Sequence, residues 1–134
     1  MTGVFQLSNP EGLCDPSANA YSHVAEVQGG SRLLFIAGQG GEDRDGGLSP
    51  LFAEQARQAL ENVKTALASK GAGIEQVFKL TLLIVAHSQE RLREWVAEAD
   101  RAWGGHMKPT CTLIPVPRLA LEGMLVEVEA VAAV

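Results

Sequence analysis

The chain has 134 residues, enough to bury one core of its own. With 46% hydrophobic, 20% charged and only 5% aromatic residues, it reads as a globular protein with an aliphatic, closely packed interior. A formal net charge of −5, with eleven scattered Lys and Arg and no basic run, argues against nucleic acid as a partner, because phosphate binding draws on clustered cations.

Val4–Leu7 reads as a short strand, stopped by Asn9 and Pro10. Glu11–Ala20, with Gly12, Asp15 and Pro16, reads as a loop. Tyr21–Val27 alternates enough for a second strand, and Arg32–Ala37 carries the apolar LLFIA of a third. The turn-prone Gln28–Ser31 between them predicts that these two runs form a hairpin. Gly38–Gly47 lacks the spacing of a dinucleotide loop and the lysine of a phosphate loop. Asp43–Asp45 resembles the opening of a calcium loop, but Leu48 stands where the sixth-position glycine is required, so a flexible connection is expected.

Ser49 as N-cap and Pro50 at the first helical position predict a helix running to Lys70. Phe52, Ala56, Leu60, Val63 and Leu67 form its apolar stripe, and Gly71 closes it. Val77–Val85 is an interior strand, apolar on both faces. Ser88 caps a second helix whose stripe is Leu92, Trp95, Val96, Ala99 and Trp103, ended by Gly104 and Gly105. Cys111–Val116 and Leu125–Val134 complete the set as strands.

This order predicts one α+β domain over residues 1–134: a two-layer sandwich, a mixed β-sheet with two helices on one face. Helices cover only one face of such a sheet. An apolar second face on Val77–Val85 therefore calls for another copy of the chain, in a closed cyclic assembly.

Alternation in the last strand sends Val126 and Val128 one way and Glu127 and Glu129 the other. By residue type alone a solvated acidic face outweighs a polar recess, since a buried, unpaired carboxylate is costly. Tyr21, Ser22 and the Gly38 backbone are the candidates to stand beside Glu127 and orient water and a small polar ligand. His23, His87 and His106 are too far apart for a metal set and are expected at the surface or hydrogen-bonded. No GxSxG is present. Cys14 and Cys111 read as two free thiols in a reducing compartment, Cys111 more readily a buried inert thiol than a nucleophile. The first residues lack the pattern of a signal peptide, and runs such as Leu80–Ala86 are too short to cross a bilayer. A cytoplasmic protein without a membrane partner is expected.

Four motifs in fixed order, YSHVAEV from Tyr21, LLFIAGQ from Leu33, EQARQALENVKTAL from Glu54 and LVEVEAVA from Leu125, resemble the reactive-intermediate deaminase (RidA/YjgF-like) family over nearly the whole chain. The combination is specific where no single piece is. The resemblance implies a chorismate mutase-like fold and a homotrimer with a cleft between each pair of subunits. It implies hydrolysis of 2-imino and enamine acids to a 2-keto acid and ammonia, with no metal or organic cofactor. It also implies roles: Glu127 as the catalytic, water-orienting acid, and Tyr21, Ala37, Gly38, Cys111 and Leu113 as substrate-binding residues.

The chain departs from the family pattern at three places. Cys111, two residues after Pro109, stands where the deaminases carry an arginine that grips the substrate carboxylate. Losing such a pair from a shielded site costs about 2–5 kcal/mol. Ala37 replaces a serine, and Val96 falls near the position of a cleft asparagine. Arg118 and Lys108 occupy other positions of the pattern. The expectation is therefore a deaminase with altered substrate preference, for uncharged or weakly anchored substrates. The alternative is a non-catalytic trimer that binds or senses a small ligand in the same cleft.

Overall fold

The computed structural model describes residues 3–134; Met1 and Thr2, where the segment read for a signal peptide begins, lie outside them. In chain order the elements are β1 (Phe5–Ser8), β2 (Val24–Val27), β3 (Leu33–Gln39), α1 (Phe52–Ala68), β4 (Val77–Val85), α2 (Gln89–Trp103), β5 (Thr110–Val116) and β6 (Val126–Ala133). Strands β3, β6, β4 and β5 lie side by side in that order. The β4–β5 pair is parallel and the other two pairs are antiparallel. Both helices cover one face of this mixed sheet, giving the two-layer α+β sandwich expected.

The core forms where apolar periodicity meets that face. Ala56, Leu60, Val63 and Leu67 of α1, and Trp95, Ala99 and Trp103 of α2, are buried against Leu80, Leu82, Ile84, Val126 and Val128. Ser88 caps α2 as expected, its hydroxyl accepting from the Arg91 N–H. A bidentate contact ties the helices together: Arg57 Nε and Nη2 donate to the buried Glu98 at 2.8 and 3.1 Å.

Two expectations are corrected. The predicted β2–β3 hairpin does not form: β2 pairs with β1, Phe5 opposite Val27, while β3 pairs with β6. Sequence proximity loses to β6, whose small Ala130 and Ala132 face Ile36 and Leu34, and Gly30, with φ of 85°, helps turn the chain between β2 and β3. The β1–β2 ribbon instead sets Phe5 against Phe78 of β4, ring centroids 5.9 Å apart. Second, Ser49 does not cap α1. Its oxygen accepts from the Leu51 N–H and its hydroxyl donates to Glu54, and the helix begins beyond it at Phe52. As expected of a sheet that helices cover on one side only, β4 is unequally buried: Leu80, Leu82 and Ile84 are enclosed, Thr81, Leu83 and Val85 are half-buried and Lys79 is exposed. The uncovered face adds Leu33, Ile114 and Phe35, the last 75% exposed.

Gln55 anchors the entry to β6. Fully buried on α1, its amide donates to the carbonyls of Ser49 and Gly123 at 2.7 and 2.8 Å, and its oxygen accepts from the Leu125 N–H at 2.9 Å. The strand that carries Glu127 is thereby fixed to the helix layer behind it.

Candidate functional site

Register divides the candidate residues between the two faces of the sheet. Side chains directly opposite each other on paired strands share a face. Cys111 lies opposite Leu80, and Leu113 opposite Leu82, so both belong to the helix-covered face. Glu127 lies opposite Leu83, and Glu129 opposite Thr81, so both belong to the uncovered face. One chain therefore does not bring Cys111 and Glu127 into a single recess.

On the uncovered face Glu127 is half-buried and Glu129 exposed. The Glu127 side chain lies across the backbone of Gly38 so closely that a Cβ built on Gly38 would stand 1.9 Å from Oε1 and 2.7 Å from Cδ. Ala37, the preceding residue, is exposed beside it, where β3 shifts register against β6 between Ile36 and Gln39. Among the described residues no lysine or arginine pairs with Glu127. A wider concavity of about 600 Å³ lies at the foot of this face between Phe35, Lys79, Glu129 and Val131. Glu127 does not line it, so it is not taken as the site.

On the other face, between α2 and the edge strand β5, lies a recess of about 320 Å³. Tyr21, His87, Leu92, Trp95, Cys111 and Leu113 form its wall. Ser22 fixes the approach of Tyr21 to β5: its hydroxyl donates to the Lys108 carbonyl at 2.6 Å, and its N–H to the Pro109 carbonyl at 3.0 Å. The His23 ring meets Tyr21 edge-on at 5.2 Å and bonds through Nε2 to the Cys14 carbonyl at 2.7 Å. Burial raises the Tyr21 phenol above its ordinary value, with the Cys14 thiol adding to it. Burial likewise pushes the Cys111 thiol up to about 12, Lys79 opposing weakly, so the thiol is neutral at physiological pH. This fits the expected inert thiol rather than a nucleophile. Cys14 is exposed, and both cysteines are free.

His87 is the residue that sequence reasoning missed. It is half-buried in the recess wall, and its Nδ1 is enclosed without a hydrogen-bond partner among the described residues, contrary to the expectation of a surface or hydrogen-bonded histidine. Its place in the short link between β4 and the Ser88 cap was the available signal. Ala20 and Ala86 have φ of 59° and 51°, and among the described residues they are the only non-glycines with positive φ. Each directly precedes a polar side chain of the recess, Tyr21 and His87, and backbone strain of this kind gathers at functional sites. Arg91 donates to the Val85 carbonyl and lies over the Phe52 ring, which braces this link from behind. Among the described residues no cluster of His, Cys, Asp and Glu is arranged to hold a metal ion, and no helix is long and apolar enough to cross a membrane.

Comparison with known proteins covers the whole arrangement. Residues 14–134 match the family described as endoribonuclease L-PSP. The RutC family protein PH0854 of Pyrococcus horikoshii is 33% identical over 103 residues, 75% of this chain and 78% of that one. The crystal structure of YyfB from Yersinia pestis, a member of the conserved Rid protein family, is 30% identical with a TM-score of 0.93, over 98% of this chain and 100% of that one. Rv2704 from Mycobacterium tuberculosis, a member of the YjgF/YER057c/UK114 family, is 27% identical with a TM-score of 0.66, over 97% and 99%.

Proposed function

The chain belongs to the endoribonuclease L-PSP family, the RidA/YjgF-like proteins, and on that premise we propose that it hydrolyses a reactive imine or enamine to a carbonyl compound and ammonia, in clefts between the copies of a homotrimer. The observation that carries this reading is the division of the site residues between two sheet faces. Glu127 and Gly38 of one copy meet the recess of Tyr21, Cys111 and Leu113 only if a second copy turns its other face toward them. The uncovered Leu33, Phe35, Leu83 and Ile114 supply the apolar area for that contact.

In the cleft, Glu127 orients a water molecule and accepts its proton as the oxygen attacks the C=N carbon. Glu127 returns that proton to the nitrogen, and the adduct's hydroxyl proton then passes to the nitrogen as the C–N bond breaks, so that one imine and one water become one carbonyl compound and one ammonia. The step is redox-neutral and needs no other reactant. The backbone at Ala37 and Gly38 and the Tyr21 hydroxyl position the substrate. Incubation with imines generated by an amino-acid oxidase and trapped by semicarbazide tests the reaction: the protein lowers semicarbazone formation if the reading holds. Undiminished trapping across a panel of imines rejects it.

The second reading is a trimer that binds a small ligand without chemistry, and it is favoured by the neutral Cys111 at the place of a substrate-gripping cation. Restoring Cys111→Arg separates the two, since a gain in imino-acid hydrolysis requires the remaining machinery to be intact. RNA cleavage, which the family description names, is opposed by the net charge of −5. A low-salt RNA titration checks it.

A further inference from the structure

We propose that the recess between α2 and β5 selects an uncharged substrate, an imine or carbonyl compound bearing an apolar or aromatic side group, and rejects ligands that carry a carboxylate. This rests on the same site as the proposed hydrolysis and specifies what enters it.

The charge inventory of the wall is the first argument. Leu92, Trp95, Leu113 and Cys111 present carbon and sulfur, and none of the residues that line the recess is a lysine or an arginine. Several cations near it in the sequence are placed elsewhere, Arg91 among them through its bond to the Val85 carbonyl. Lys108 Nζ is paired with Asp100 at 2.9 Å. Arg118 lines a separate recess at the turn before β6, beside Leu119 and Glu122. Lys79, opposite Thr110 in register, belongs to the other sheet face. A carboxylate entering the recess loses its water and gains no counter-charge from the residues that line it, which disfavours it. Ionisation of Cys111 does not alter this balance in a carboxylate's favour, because a thiolate would only add repulsion.

The polar inventory is the second argument. Tyr21, His87 and Asn19 are the groups able to direct a ligand, the first two each following an alanine held in the left-handed region. His87 stands in the wall with its Nδ1 enclosed and without a partner among the described residues. These neutral hydrogen-bonding groups on an otherwise apolar wall can meet a single imine nitrogen or carbonyl oxygen. They do not match the two oxygens of a carboxylate, which are best held by a paired-donor fork. At about 320 Å³ the recess is at the small end of ligand sites, and Trp95 gives it a flat aromatic side.

The test compares two probes of nearly equal shape, phenylacetone and phenylpyruvate, by isothermal titration calorimetry on the full chain at neutral pH. Phenylacetone is expected to bind at least about tenfold more tightly. Equal affinities, tighter phenylpyruvate binding, or no saturable binding of either probe overturns the proposal. The variant Cys111→Arg, with folding checked by circular dichroism, is expected to raise phenylpyruvate affinity by about tenfold or more, and a folded variant with no such gain counts against it. Activity separates this proposal from the reaction itself. Imines released by an amine oxidase and by an amino-acid oxidase are compared, with catalase present. If phenylacetone is preferred but neither imine is hydrolysed, the selectivity stands and the hydrolytic reading falls. If both imines are hydrolysed with equal kcat/KM, the reading stands and the selectivity falls.

Discussion

Replacing Gly38 by alanine moves one functional group and little else. The added methyl carbon would stand 1.9 Å from Glu127 Oε1 and 2.9 Å from Cγ. Ordinary carbon–oxygen contact is about 3.4 Å, so the carboxylate must retreat by more than about 1 Å, through a rotamer change costing about 0.5–1.5 kcal/mol. The atoms in the way are the outer part of a flexible side chain, and Gly38 is not among the glycines with positive φ, so the backbone has no reason to resist. Loss of glycine's freedom in the unfolded chain offsets part of the rotamer cost, about 0.4–1 kcal/mol. Stability should therefore stay within about 1 kcal/mol of the wild type, a shift of a few degrees in Tm. Activity should not be spared. A misplacement of about 1 Å in a positioned catalytic group costs on the order of 100-fold in kcat/KM, equivalent to about 2.7 kcal/mol of barrier. The assay is semicarbazide competition with the wild type alongside, and Tm by differential scanning fluorimetry. Full activity in Gly38→Ala, with Glu127 seen displaced in a crystal structure, would refute its role as the water-orienting acid.

Other perturbations have equally definite outcomes. Glu127→Gln keeps shape and removes the base, and should lower turnover by about 10²–10⁴-fold with Tm unchanged, checked in the same assay. Gln55→Leu removes three hydrogen bonds and strands the Leu125 N–H, and should cost about 2–4 kcal/mol in urea denaturation; a loss below about 0.5 kcal/mol would show that the β6 entry holds without it. Cys111 ionises in the unfolded chain near the ordinary thiol value of 9.0 but only at about 12 when folded. Between those values the unfolded state binds fewer protons, so stability falls as pH rises, by up to about 1.4 kcal/mol per unit, and Cys111→Ala should flatten that slope. For the same reason iodoacetamide at pH 8 should label the exposed Cys14 and leave Cys111 unmodified, as read by mass spectrometry.

Legibility in the sequence followed the range of the interaction that decides each feature. The strand Val77–Val85 and the Ser88 cap are where periodicity and capping chemistry place them, because the deciding contacts are local. The alternation of Val126, Glu127, Val128 and Glu129 between faces was likewise readable, since a strand's period fixes it. The partner of β2 was not, because it turns on the fit of Ala130 and Ala132 against β3 from the far end of the chain. Nor was the separation of Cys111 from Glu127, which rests on Leu80 facing Cys111 while Leu83 faces Glu127 across β4. Family resemblance named both residues for one cleft, and register places them on opposite faces of the sheet. His87 escaped notice because alanine carries no preference for the left-handed conformation Ala86 adopts, so only the shortness of the link before the Ser88 cap pointed to it.

Subunit complementation tests the composite cleft most directly. Glu127→Gln removes the acid, and Leu113→Trp fills the recess, so each purified variant should be inactive alone. Mixed under conditions that exchange subunits, with mixed assemblies confirmed by native mass spectrometry, they should recover about a quarter of wild-type activity, because random pairing gives about a quarter of the clefts two intact halves. No recovery in confirmed mixed assemblies, or a wild-type protein that is active as a single chain, would contradict a site shared between copies.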